Sequence, residues 1–280
     1  MQEFAGKTAV VTGAASGVGR GLAERFAAEK MRVVLADVED APLREAEEAL
    51  LERGAEVIAV RTDVRKLEAV EELHRQATDA FGKVHVLCNN AGVGTGGLAW
   101  EQTAGDWEWV LGVNLWGVIH GVRTFLPGMI AHGEDAHIVN TSSILGLVPG
   151  PFQAVYGVAK YGVVALSEAL YYELKIVGSK VGVSVLCPGP VNTNIVDAGR
   201  NRPDEFGPAR VADPDDPGAA FVRQMIAEGM APAEVAAIVV DAIRARQLYV
   251  LTHPDEYGRP IRDRAEAIAA QRNPVIPGTP

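Results

Sequence analysis

Short apolar runs alternate along this chain with longer segments whose apolar residues recur at helical spacing. Runs of strand length lie near 8–12, 32–37, 56–61, 84–89, 137–142, 182–187 and 247–251. Helix-period segments lie near 17–30, 40–54, 66–81, 104–131, 155–178 and 232–246, the fourth with a break expected near 115. The strand runs are rich in Val, Ile and Leu and alternate little, as strands covered on both faces do. Strand and helix taken in turn predict βαβ units. The expected fold is therefore α/β, a doubly wound parallel sheet flanked by helices in a single domain.

The rhythm fails once. Between 197 and 231, Asp197-Ala-Gly-Arg-Asn-Arg-Pro-Asp204 and Asp213-Pro-Asp-Asp-Pro-Gly218 interrupt it with turn formers. Because the rhythm then resumes, an excursion over the sheet edge is expected at about 194–230, the length of many functional lids. Residues 1–252 then make the domain, and 253–280 an extension with one short polar helix and a Pro-rich end.

Composition narrows the classes. A chain of 280 residues buries a large core, and 22% charged residues place it among soluble globular proteins. The formal charge of −10 disfavours a nucleic-acid surface. Cys88 and Cys187 sit in apolar strand runs and are expected as buried free thiols. His85, His120, His132, His137 and His253 show no ligand spacing, so no metal is expected. The N-terminus lacks a basic region followed by an apolar core, and no apolar run reaches the ~20 residues of a bilayer span. A cytoplasmic protein without a membrane partner is the expectation.

The first strand runs into Gly13-Ala-Ala-Ser16-Gly17-Val18-Gly19, and a helix follows. Such a turn presents unpaired N–H groups and a positive dipole end to an anion. Gly13 permits the tight turn, Gly17 the approach of backbone to a pyrophosphate, and Gly19 close packing of helix on sheet. The spacing departs from the usual Gly-x-Gly-x-x-Gly and lacks the Gly-Lys-Ser/Thr ending of an NTP-binding loop. Asp37 closes the second strand, where a carboxylate accepts hydrogen bonds from an adenosine ribose and repels a 2′-phosphate. No basic residue occurs in the turn, so NAD is favoured over NADP. Asp63 and Val64 end the third strand and are expected to border the adenine. Asn89, Asn90, Ala91 and Gly92 end the fourth, and strand C-termini are where open α/β sheets bind ligands. Ordinary turn roles for Asp63 and Asn89 stay open.

Further on, Tyr156 and Lys160 stand four apart at the start of a helix segment and so share a face. A free tyrosine deprotonates near pH ~10, and a shift of about three units would take roughly 4 kcal/mol. A neighbouring ammonium favours the phenolate, which would give a general acid/base usable near neutrality.

Together these pieces resemble the short-chain dehydrogenase/reductase family. The matching residues are Thr12-Gly13-x-x-x-Gly17-x-Gly19, Asn89-Asn90-Ala91-Gly92, Asn114, Ser142-Ser143, Tyr156-x-x-x-Lys160 and Pro188-Gly189-x-Val191-x-Thr193, in the family's order across about residues 5–250. The resemblance implies a Rossmann-type, NAD-binding catalytic domain. It implies that Tyr156 shuttles a proton to or from substrate oxygen and that Lys160 lowers its pKa and binds the nicotinamide ribose. It further implies that Ser143 holds the substrate oxygen, with Ser142 its structural neighbour, and that Asn114 serves a proton relay. Pro188, Gly189, Val191 and Thr193 would embrace the nicotinamide carboxamide. Family members commonly pair through their two long helices, so a homotetramer is expected.

The expected reaction is hydride transfer between NAD(H) and a secondary alcohol or ketone. Largely apolar stretches at 93–98, 145–152 and 194–226 suggest a nonpolar or aromatic substrate. The run from Asn194 through Gly199-Arg-Asn-Arg-Pro203, with Leu248-Tyr-Val-Leu-Thr-His253, resembles a bacterial branch that includes dehydrogenases of lignin-derived aryl alcohols. Two rivals stand beside this reading. One is an NADP-dependent carbonyl reductase, against which Asp37 argues. The other is a non-catalytic dinucleotide-sensing regulator, which would need none of Ser143, Tyr156 and Lys160.

Overall fold

The computed structural model describes residues 1–208 and 217–274. Seven strands form one parallel sheet: β1 (Thr8–Thr12), β2 (Arg32–Asp37), β3 (Val57–Arg61), β4 (Val86–Asn89), β5 (Ala136–Thr141), β6 (Val181–Cys187) and β7 (Tyr249–Leu251), in the spatial order 3-2-1-4-5-6-7. The helices among the described residues are α1 (Gly17–Ala28), α2 (Asp40–Glu52), α3 (Leu67–Phe81), α4 (Ala104–Leu111), α5 (Gly117–Ala131), α6 (Ala154–Ile176), α7 (Pro217–Ala227), α8 (Pro232–Ala245) and α9 (Pro254–Ala269). None is long and apolar enough to cross a membrane.

Both faces of the sheet are covered, which explains the unbroken apolar strands. On one face Leu22 and Phe26 of α1, Leu43 of α2 and Val239 of α8 pack on Ala9, Val11 and Leu35. On the other, Leu73 of α3, Phe125 of α5 and Leu170 of α6 pack on Val10, Leu87 and Ile138. Phe26 and Phe125 are almost wholly buried, and burying each such ring stabilises the fold by roughly 1.5–3 kcal/mol. α1 and α8 approach closely, because a Cβ on Gly21 would lie 2.7 Å from the Pro232 carbonyl oxygen.

The break expected near residue 115 and two departures from the sequence reading concern function. The long fourth helix is two helices joined by a π-helical turn at Gly112–Trp116, which carries the buried Asn114. The excursion contains α7, which periodicity did not predict; its residues 209–216 lie outside the described ones. Its two ends are zipped together, with Asn192 N–H donating to Met230 O and Met230 N–H donating to Pro190 O, each at 3.0 Å. The extension carries α9 over sixteen residues, and 275–280 lie outside the described residues.

Candidate active site

The strand order reverses at β1, which pairs with both β2 and β4. Crossovers leaving β1 and β4 therefore diverge, and a crevice opens above their C-terminal ends, as in other doubly wound sheets. One cleft of about 1870 Å³ runs from Asp37 past Gly13 and Gly92 to Tyr156 and on to Phe152 and Phe221.

Sterics build the floor. Gly13 (φ 69°) and Gly17 (φ 52°) adopt left-handed backbone that disfavours a side chain. A Cβ on Gly19 would overlap the Gly13 carbonyl, so α1 can start this close to the strand only with glycine there. Ser16 precedes α1 without a side-chain cap, leaving first-turn N–H groups of Gly17 and Val18 for an anion at the cleft floor. Thr193 comes in from the far side; its methyl group lies 2.9 Å from where a Gly17 Cβ would stand.

Polar contacts lock the strand ends. Thr12 Oγ1 accepts from Asn90 N at 2.9 Å and Ala91 N at 3.1 Å, and Asn90 Nδ2 donates to Thr12 O at 3.0 Å. Asn89 turns inward, donating to Asn140 Oδ1 at 2.9 Å. At the other end of the cleft, Asp37 accepts from Ala15 N at 3.0 Å and Glu39 N at 3.1 Å. Burial nevertheless raises its pKa, against those hydrogen bonds. Asp63 lines the same cleft with its carboxylate engaged by Arg65 at 2.7 Å, and Val64 stands beside it.

The polar wall opposite comes from the π turn, β5 and α6. Asn114 Oδ1 accepts from Val93 N and its Nδ2 donates to Val93 O, both at 2.8 Å. Lys160, 2% exposed, donates to Thr141 O at 2.9 Å. Gly92 brings these two together: a Cβ there would stand 3.5 Å from Asn114 Oδ1 and 3.6 Å from Lys160 Nζ. Lys160 Nζ lies 5.5 Å from the Tyr156 ring centre. Ser142 donates to Lys160 O at 2.8 Å, whereas Ser143 stands at the cleft and accepts from Leu145 N at 3.2 Å.

In the unliganded chain burial dominates the electrostatics of Tyr156 and Lys160. Burial pushes Tyr156 up to about 12, and hydrogen bonding with Ser143 pulls only partly the other way. Burial also lowers Lys160 to about 8, so low dielectric around an uncompensated ammonium weakens its own charged form. Cys88 and Cys187 are free and buried.

Pro188, Gly189 and Val191 close the side nearest β6, with Gly189 N–H donating to Thr252 Oγ1 at 3.0 Å. Tyr257 of α9 also reaches the cleft and lies 2.9 Å from where a Gly189 Cβ would stand. Sequence reading missed Tyr257, since nothing local ties a polar helix to a distant loop. It also missed the pairing of Arg202 with Asp106, buried at 2.6 Å, which ties the excursion to the N-terminal turn of α4. The Thr103–Asp106 capping box was the available signal for that turn.

The open helix start, the glycine floor and the carboxylate at the end of β2 fit a dinucleotide. Known proteins agree with this geometry. A family profile described as short chain dehydrogenase matches residues 7–204. The chain is 33% identical to a CLA biosynthesis dehydrogenase/reductase of Lactiplantibacillus plantarum, over 99% of this chain and 98% of the relative. It is 31% identical to a C alpha-dehydrogenase of Sphingobium sp., over 91% of this chain and 83% of that one. A short chain dehydrogenase/reductase from Burkholderia phymatum, crystallised in complex with NAD, superposes with a TM-score of 0.95 at 45% identity, covering all of both chains. With the profile matched over most of its length and relatives aligned nearly end to end, the chain belongs to the short-chain dehydrogenase/reductase family of oxidoreductases.

Proposed function

We propose that the protein transfers a hydride between NAD(H) and a secondary alcohol or its ketone, with a nonpolar or aromatic substrate. The supporting observation is one cleft with Asp37 at one end and Ser143, Tyr156 and Lys160 at the other. Asp37 and the Ser16–Gly19 turn would hold the adenosine and pyrophosphate, with Asp63, Val64, Asn90, Ala91 and Gly92 along the floor. Pro188, Gly189, Val191 and Thr193 would close over the nicotinamide end. The bound dinucleotide supplies the hydride donor or acceptor.

The chain's own residues handle the oxygen. In reduction, Ser143 and Tyr156 hydroxyls hold the carbonyl oxygen where negative charge develops. As hydride reaches the carbon, the C=O π pair moves to oxygen, and that oxygen takes the Tyr156 proton. In oxidation the phenolate removes the alcohol proton. Lys160, fixed on Thr141 O and lining the same cleft, would hold the ribose hydroxyls and favour the phenolate. Asn114 positions Val93 and, through it, the loop that borders both. Val93, Leu98, Leu145, Phe152, Ile195 and Phe221 give the substrate end its apolar character.

We further infer one domain over 1–252 with a lid near 194–230, and a cytoplasmic homotetramer. Exposed Trp116, Val158, Tyr172 and Ile176, on the π turn and α6, favour a covered face there. The deciding experiment is fluorescence titration with NADH and NADPH, followed by a panel of aryl, steroid and alicyclic alcohols with NAD. Tighter NADH binding and turnover of one alcohol class support the reading. Equal affinity for NADPH, or binding without turnover of any alcohol or ketone, overturns it.

A further inference from the structure

Asp37 is not alone at the ribose end of the cleft. Two residues on, Glu39 anchors its backbone N–H on Asp37 and directs its carboxylate at Arg200 of the excursion. The pairing is forked: Arg200 Nε reaches Glu39 Oε1 and Nη2 reaches Oε2, each at 2.9 Å. Arg200 Nη1 is occupied as well, donating to Asn194 O at 3.2 Å and Asp197 O at 3.0 Å. Glu39, Arg200, Asp37 and Ser16 all line the cleft. The cleft thus holds an arginine near the ribose end, the group that binds a 2′-phosphate in NADP-dependent sites, but four of its five N–H groups are already engaged. A planar fork matched to a carboxylate is equally matched to a phosphate, so what occupies Arg200 decides what it can bind. The Glu39 carboxyl is held below its usual range, chiefly by hydrogen bonding from Arg200, which keeps it charged and the pair closed at neutral pH.

We propose that Glu39 is a second determinant of dinucleotide choice, acting by withholding Arg200 from a 2′-phosphate. This rests on the NAD reading above and deepens it. Asp37 repels the phosphate directly; Glu39 removes the cation that would receive it. The cation comes from the excursion, far along the chain from the β2 turn, so its role at the ribose end is invisible to any motif confined to that turn.

The test compares NADH and NADPH dissociation constants, by nicotinamide fluorescence, for wild type, Glu39→Gln, Arg200→Met and the double variant. Glu39→Gln should improve NADPH binding relative to NADH about tenfold, the scale of one charge-assisted hydrogen bond gained. Arg200→Met alone should bring no gain for NADPH, because it frees no cation and leaves the Glu39 carboxylate bare, while the same change in the Glu39→Gln background should cancel the gain. The gain in Glu39→Gln should also weaken with added salt. An unchanged ratio in Glu39→Gln, or a gain that survives in the double variant, overturns the proposal while wild-type preference for NADH still stands. Wild type binding NADPH as tightly as NADH overturns the NAD reading and this proposal together.

Discussion

The glycine turn and the excursion are built by different physics. At the dinucleotide end the backbone does most of the positioning: Gly13 and Gly17 in left-handed conformation, Gly19 against a carbonyl, and strand ends tied through Thr12 and Asn90. The excursion that covers the cleft is held instead by side-chain ion pairs. Arg202 binds Asp106, Arg200 binds Glu39, Arg65 reaches Glu205, and Arg223 reaches Asp197. One rejects a single added methyl group. The other is fastened by charges that substitution can exchange. The glycine turn is thereby fixed by the fold, while the excursion is left open to change.

The sharpest way to separate the two ends is Tyr156→Phe. Turnover should fall by about 10²–10⁴-fold, the usual range for losing a proton-transfer group, while NADH affinity stays within about twofold. Substantial residual turnover would remove Tyr156 from the chemistry. Next in size is Arg202→Met, which strands a buried Asp106 carboxylate. Breaking one partner of such a pair costs about 3–5 kcal/mol, and the loss should appear as earlier urea unfolding and a raised KM. An unchanged KM would show that the excursion is fastened elsewhere. Gly19→Ala should cost about 1–3 kcal/mol by overpacking and weaken NADH binding, with KM for the alcohol little altered at saturating cofactor.

The smallest effect is a pH slope. Lys160 has a folded pKa of about 8 against an ordinary value of 10.5, lowered by burial. Between those values the unfolded chain binds the extra proton, so stability of the unliganded protein should rise with pH across that window. Tyr156, raised from 10.0 to about 12, gives a falling slope only above pH 10. Urea midpoints at pH 8, 9 and 10 should therefore rise in wild type relative to Lys160→Met. A constant difference would mean that Lys160 keeps its proton.

Much of this was legible beforehand, for reasons that differ by residue. The strands were readable because double-sided burial leaves Val33-Val-Leu-Ala and Val183-Ser-Val-Leu almost free of polar interruptions. Gly13, Gly17 and Gly19 were readable because sterics permits few other residues at such a turn. α7 was not, since turn formers precede its short apolar stripe of Phe221, Val222, Met225 and Ile226, which lines the cleft and is not buried in the core. Sequence places a cation near Tyr156 but cannot weigh it against desolvation, which raises the phenol's pKa in the unliganded chain. Glu39 and Arg200 lie far apart along the chain, and no local pattern joins them.

The π turn at Gly112–Trp116 has a consequence for how this scaffold can vary in length. A π turn accommodates one more residue than a regular helical turn does. Removing one residue there would restore regular winding with α4 and α5 still in phase, while the residues within the turn change the face they present. Asn114 would then leave Val93, while Trp109 keeps its buried place beside Val110. A shortened chain could be more helical by circular dichroism and yet have its polar wall out of phase. The irregular turn acts as a vernier, and insertions or deletions elsewhere in α4 and α5 are constrained to preserve its setting.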